Sequence, residues 1–152
     1  QRAIDFHLNS NFPKKNFSEI YTRYSKALLG IGGAEGSDKA NDLELELIAL
    51  QNPYTDDMSS GIEILTLYQG RPQAFTTLNV FERSNADLRV NSYVVKSDEK
   101  GIAKVKVEND NAYLIDNVIL RPANDKLLKD KGVIWESLWA ALTFGVIRAN
   151  GL

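Results

Sequence analysis

The chain carries one histidine, His7, set between Phe6 and Leu8. A lone imidazole holds a transition metal only with help from other ligands, and carboxylates are the ones this sequence offers. Asp56 and Asp57 are adjacent in the loop Pro53-Tyr54-Thr55-Asp56-Asp57. Paired loop carboxylates suit a hard cation through their oxygens, although no calcium-loop spacing comes after them. His7, Asp56 and Asp57 are therefore the candidate metal ligands. The plain alternatives are a solvated turn for the aspartates and a structural or incidental role for the histidine. Glu44 and Glu46 alternate along Asp42–Leu50, which places them on one strand face about 7 Å apart. Two carboxylates so spaced, or either of them with Asp56, have the composition of a glycan-hydrolysing acid–base pair. The solvated outer face of a strand accounts for the same alternation.

Other reactive patterns are missing. There is no Gly-x-Ser-x-Gly motif, and His7 is the only base a serine triad could use. The glycines between Gly30 and Gly36 are not followed by the Lys-Ser/Thr of a phosphate-binding loop. With no cysteine, disulfides, thiolate catalysis, zinc fingers and iron–sulfur clusters are excluded together. Tyr54 and Trp135, aromatics beside polar loops, are the candidate binding-surface residues. The expectation is a protein that binds without catalysing, with no cofactor.

Eighteen Lys and Arg against 20 Asp and Glu give a formal net charge of -2, with no basic stripe of the kind that recognises nucleic acid. No apolar run reaches the ~18 residues of a membrane span. The 152 residues suit one hydrophobic core better than two. The chain opens on Gln1 with no signal peptide in view, as expected of a processed or truncated piece.

The elements that must position these residues read as strands. Short alternating runs cover Asp42–Leu50, Gly61–Gly70, Thr77–Arg83, Asn91–Lys96, Gly101–Glu108 and Ala112–Leu120, with turn residues between most of them. That rhythm predicts an all-β antiparallel sandwich of about seven strands, Ig-like or transthyretin-like. In the first run Leu43, Leu45 and Leu47 point one way and Glu44 and Glu46 the other, a half-buried strand with a wet face. Asp98-Glu99-Lys100-Gly101 predicts a turn capped by the aspartate, with the glycine at positive φ. Residues 121 to 134 read as an exposed connection, and a closing strand is expected over roughly residues 137 to 148. Upstream, Phe17, Ile20, Tyr21, Tyr24 and Leu28 have helical spacing, with Ser18 as N-cap and Gly30 as terminator. Ile20, Thr22 and Tyr24 also allow a strand. Residues 1–40 are thus expected to be an N-terminal helical or irregular extension, and 41–152 the sandwich.

Several stretches together resemble a known family. They are Tyr24-Ser25-Lys26-Ala27-Leu28-Leu29-Gly30-Ile31-Gly32, Leu43-Glu44-Leu45, Gln51-Asn52-Pro53, Gln69-Gly70-Arg71-Pro72, the turn Ser97 to Ala103, Ala112-Tyr113-Leu114-Ile115 and Trp135 to Phe144. The order is similar to the bacterial DUF4198 family, described as periplasmic components associated with cobalt and nickel uptake and built of two β-rich halves behind a signal peptide. Most of this chain resembles the C-terminal half, and its central portion resembles transthyretin-like and carboxypeptidase-regulatory-type sandwiches. The resemblance implies a non-catalytic periplasmic or secreted binding or accessory module, with cobalt or nickel as the metal. It implies membrane transporter components or an upstream domain as partners. The alternative carried beside it is a cell-envelope domain that recognises protein or glycan through its loops and edge strands.

Overall fold

Period-two patterning dominates the fold, and the computed structural model describes residues 2–146. In chain order the elements are α1 (Arg2–Asn9), β1 (Ser18–Ala27), β2 (Leu45–Ala49), β3 (Ile62–Tyr68), β4 (Arg71–Pro72), β5 (Thr77–Ser84), β6 (Val90–Lys96), β7 (Ile102–Val105), β8 (Asn111–Pro122), α2 (Asp125–Lys131) and β9 (Val133–Gly145). Nine strands among the described residues make two sheets. One has the order β1-β9-β8-β5-β6; the other has β2-β3-β4, with β7 also paired to β3. This is an all-β sandwich with small helical additions, richer in strands than the seven expected. The chain divides into two compact units, one of the residues up to Arg23 with Val118–Trp139, the other of Tyr24–Asn117 with the residues from Ala140. Strands β1, β8 and β9 give a stretch to each.

In the larger unit the registers sort the core. Ile62 lies opposite Val105 and Ile64 opposite Ala103, Leu47 opposite Thr66 and Val80 opposite Ile115. These side chains are nearly or fully excluded from solvent, as are Leu78, Ala140, Leu142 and Phe144. Tyr113 stacks on Phe144 with ring centroids 5.5 Å apart. The expected turn is present: Asp98 Oδ1 accepts from the amides of Lys100 and Ile102. Gly101 has φ +77°, and a Cβ there would stand 2.8 Å from the Gln73 nitrogen.

The wet face expected on β2 is dry. All five residues of the strand are buried, Glu46 at 1% exposure. The cause is Lys26, whose Nζ lies 3.0 Å from Glu46 and 2.9 Å from Asp38. The amide of Asn41 donates to both Glu46 oxygens. The amide of Ala49, on the outer strand of its sheet, donates to Asp38 Oδ2. One ammonium and a few amides thus hold the segment around Asp38–Asn41 against β2. That covers its second face and occupies a donor that an edge strand leaves open.

Three other stretches differ from expectation. Residues 18 to 27 form a strand rather than a helix, with Ile20, Thr22, Tyr24 and Lys26 on its half-buried face. Partners on a sheet prevailed over helical spacing. Residues 121 to 134 contain α2, whose N-cap Asn124 accepts from the Leu127 amide and whose Gly132 closes it in a left-handed conformation. The closing strand starts at Val133, four residues ahead of the expected Ser137, and reaches Gly145; its expected end at Ile147 and Arg148 lies outside the described residues.

Both the ion cluster and the hydrogen bonds at Tyr113 can be tested by substitution. Lys26→Met leaves two buried carboxylates without their cation. It is expected to lower unfolding free energy in urea by about 3–5 kcal/mol, and a change within ~0.5 kcal/mol would show that the cluster does not hold β2. Glu82 offers a pH-dependent test. Burial opposes its ionisation, but hydrogen bonds from Tyr113, Asn111 and Asn91 and the Lys106 charge outweigh burial and hold its carboxyl below the usual 4.5. Burial, joined by the bond to Glu82, pushes the Tyr113 hydroxyl far up. A depressed carboxyl stabilises the fold above its unfolded pKa and releases that stability as pH falls through the folded value. Acid unfolding below about pH 4.5 is therefore expected to lose steepness in Glu82→Gln, with tryptophan emission as the readout.

Candidate functional site

Unit one is built around His7. Helix α1 delivers the imidazole inward, leaving it 9% exposed. Trp135, on β9, is 7% exposed, and its indole N–H donates to His7 Nδ1 at 3.0 Å. An indole nitrogen only donates, so Nδ1 accepts and the ring hydrogen sits on Nε2. That nitrogen meets the Pro13 carbonyl at 2.9 Å. The two rings are near-coplanar, 11° apart, side by side along the hydrogen bond. Phe17 packs on the imidazole at 4.6 Å between centroids. Phe12 meets the imidazole edge-on, and Phe6 meets the indole edge-on.

Over this pair lies a cavity of about 430 Å³, within the size range of small-molecule sites. His7 and Trp135 form its buried floor. Its walls are Ala3, Ile4, Leu8, Phe17 and Leu120, and Lys14 and Glu19 stand at the exposed rim. Glu19 accepts a short hydrogen bond from the Ser137 hydroxyl, which also takes the indole N–H of Trp139. Nearby Arg23 lies over the rings of Tyr21 and Trp139.

The other unit has a second concave region, a polar cleft of about 460 Å³. Tyr54 lines it, but its hydroxyl donates to the Leu28 carbonyl at 2.6 Å. Asn52 closes the cleft's loops by donating to the carbonyls of Ala34 and Gly36. Tyr54 is thus a strut as well as a wall. Asp56 accepts from the amide of Asn52, and Asp57 from the amide and hydroxyl of Ser59. The Ser59 bonds hold the Asp57 carboxyl below its ordinary range.

Of the residues singled out in the sequence, the structure places His7 and Trp135 in direct contact. Asp56 and Asp57 lie in the other unit, each capping its own turn. Among the described residues no group of three His, Asp or Glu comes together as a metal cage. Nor do Glu44 and Glu46 share a solvated face: Glu46 is paired inside, and Glu44 takes the Gln69 amide outside. The cavity walls escape sequence reasoning. Ile4, Leu8 and Leu120 carry no chemical signature, and only the apolar spacing of Ile4, Phe6 and Leu8 hints at a surface.

His7→Ala removes the acceptor of a buried indole N–H and opens a gap against Phe17. The expected loss of stability is about 2–4 kcal/mol, read from urea unfolding. An unchanged midpoint would mean that the imidazole does not organise the floor.

No curated protein and no solved structure matches the chain. A family model described as a domain of unknown function, DUF4198, matches residues 6–119. That stretch includes His7, Lys14, Phe17 and Glu19 and stops short of Leu120 and Trp135. Covering most of the length, from the imidazole of the cavity floor through the sandwich strands, the match makes the chain a member of the DUF4198 family.

Proposed function

We propose that the chain is a non-catalytic binding and accessory module of the cell envelope, periplasmic or secreted, whose ligand surface is the cavity over His7 and Trp135. One observation carries this reading: the indole N–H, both imidazole nitrogens and the Pro13 carbonyl satisfy one another. The cavity floor therefore presents ring faces and no free acid, base or nucleophile. An apolar concavity with few polar groups is the composition of a ligand pocket, not of an acid–base centre. The commitment of Glu46 to Lys26 and Asn41 supports the same side.

The envelope placement and the link to cobalt or nickel uptake come from the family resemblance. Within that context the chain reads as a partner of transporter components or of an upstream domain rather than as the metal carrier. The residues present do not fit a metal: His7 has no lone pair to spare in this arrangement, and Asp56 and Asp57 cap turns in the other unit.

The test pairs two titrations of the full chain. The neutral dye N-phenyl-1-naphthylamine is expected to bind with micromolar affinity and blue-shifted emission, weakened by about tenfold in Leu8→Asp. Calorimetry with nickel and cobalt, with calcium as control, is expected to give the same heats for the parent chain and His7→Ala. An absence of dye binding, joined to micromolar nickel binding that vanishes in His7→Ala, would replace this reading with a direct metal role.

A further inference from the structure

The rim of the same cavity holds one carboxylate that accepts a hydrogen bond and one ammonium that is without a partner among the described residues. Building on the reading of that cavity as a ligand site, we propose that its ligand is a free single-chain amphiphile with an anionic head, of the fatty-acid type. The tail lies in the cavity and the carboxylate at Lys14.

The walls argue for the tail. Ile4, Leu8, Phe17 and Leu120 are 58%, 53%, 48% and 47% exposed, yet all four face one concavity. Apolar side chains gathered in a hollow and left half in water gain from any apolar body that fills it. The floor argues against a polar tail, because its nitrogens are already paired with each other and with Pro13. A ligand group seeking a hydrogen bond there would have to break one.

The rim argues for the head. Among the described residues, Lys14 and Glu19 supply the charge of the lining. Glu19 already accepts from Ser137, whereas Lys14 makes no hydrogen bond or ion pair among the described residues. Lys15 comes next in the chain, also exposed. An ammonium group without a partner at the rim of an apolar hollow complements an anion joined to a hydrocarbon. A cationic head would meet Lys14, and a neutral head would leave it unused.

The experiment displaces the bound neutral dye from the full chain with twelve-carbon amphiphiles of different head, each below its micelle concentration. Laurate is expected to displace it at about tenfold lower concentration than dodecanol or dodecyltrimethylammonium. Shortening laurate to decanoate is expected to weaken displacement by about tenfold. Lys14→Glu, a change at an exposed position, is expected to abolish the preference for laurate, so that the three heads displace the dye at similar concentrations when each is referred to the dye's own affinity for the variant. Equal displacement by all three heads, or a preference that survives Lys14→Glu, overturns the anionic head and leaves the apolar site standing. Failure of the dye itself to bind overturns both. Binding to anionic phosphatidylglycerol vesicles without displacement by laurate would make the surface a membrane contact and overturn the free amphiphile.

Discussion

A single ammonium group decides what kind of strand β2 is. Glu46 and Ile48 lie on the face of β2 opposite Leu45, Leu47 and Ala49, and that face is as dry as the core face. Burying a carboxylate without a partner costs several kcal/mol or more, so a dry Glu46 requires a cation inside with it. Lys26 supplies that charge from the half-buried face of β1, and its two carboxylate contacts leave the cluster one negative charge over. The amides of Lys39, Asn41 and Ala49 answer the excess by pointing at the same two carboxylates. The covering segment, the outer edge of β2 and the polar cleft walled by Asp38 and Asn41 all depend on this one arrangement.

The smaller unit solves a similar problem with neutral groups. Trp135 brings an indole N–H into a dry setting, where it must find an acceptor. His7 provides one through Nδ1 and directs its own hydrogen to Pro13. The chain is thereby closed: donor to acceptor, donor to acceptor, with none left over. In both units the polar side chains that stand out in the sequence are consumed in holding the scaffold. The surfaces left to meet another molecule differ accordingly, polar and loop-built around Tyr54, apolar and ring-floored around Trp135.

That division explains what was legible in the sequence. Alternation identified most of the strands, because one buried face per strand leaves a period of two in residue type. The turn at Asp98–Gly101 was legible for a local reason, a carboxylate two residues before an amide it can cap and a glycine where φ is positive. Glu46 misled because alternation reports polarity, not solvent, and its partner Lys26 is 20 residues away. Residues 18 to 27 misled because Tyr21 and Tyr24 satisfy a helical stripe as well as strand alternation. Only the sheet decides between them. The Asn124 cap and the Gly132 terminator of α2 were present as signals, but the lysines and aspartates between them read as solvated chain.

The site was the hardest part to read, since its floor joins residues 128 positions apart. Neither His7 nor Trp135 shows by itself which role it has, because the role belongs to the pair. An imidazole whose Nδ1 holds an indole N–H has no lone pair for a cation, and a cation on Nδ1 would leave that N–H buried without an acceptor, at a cost of about 1–3 kcal/mol. Metal binding through this nitrogen and the ring-floored cavity are therefore competing states of the same two side chains. The shape of the hollow cannot be altered at Trp135 without altering the chemistry of His7. Even a phenylalanine, which keeps most of the apolar bulk, would remove the donor and return a lone pair to the imidazole. The indole hydrogen bond is what makes this histidine part of a wall.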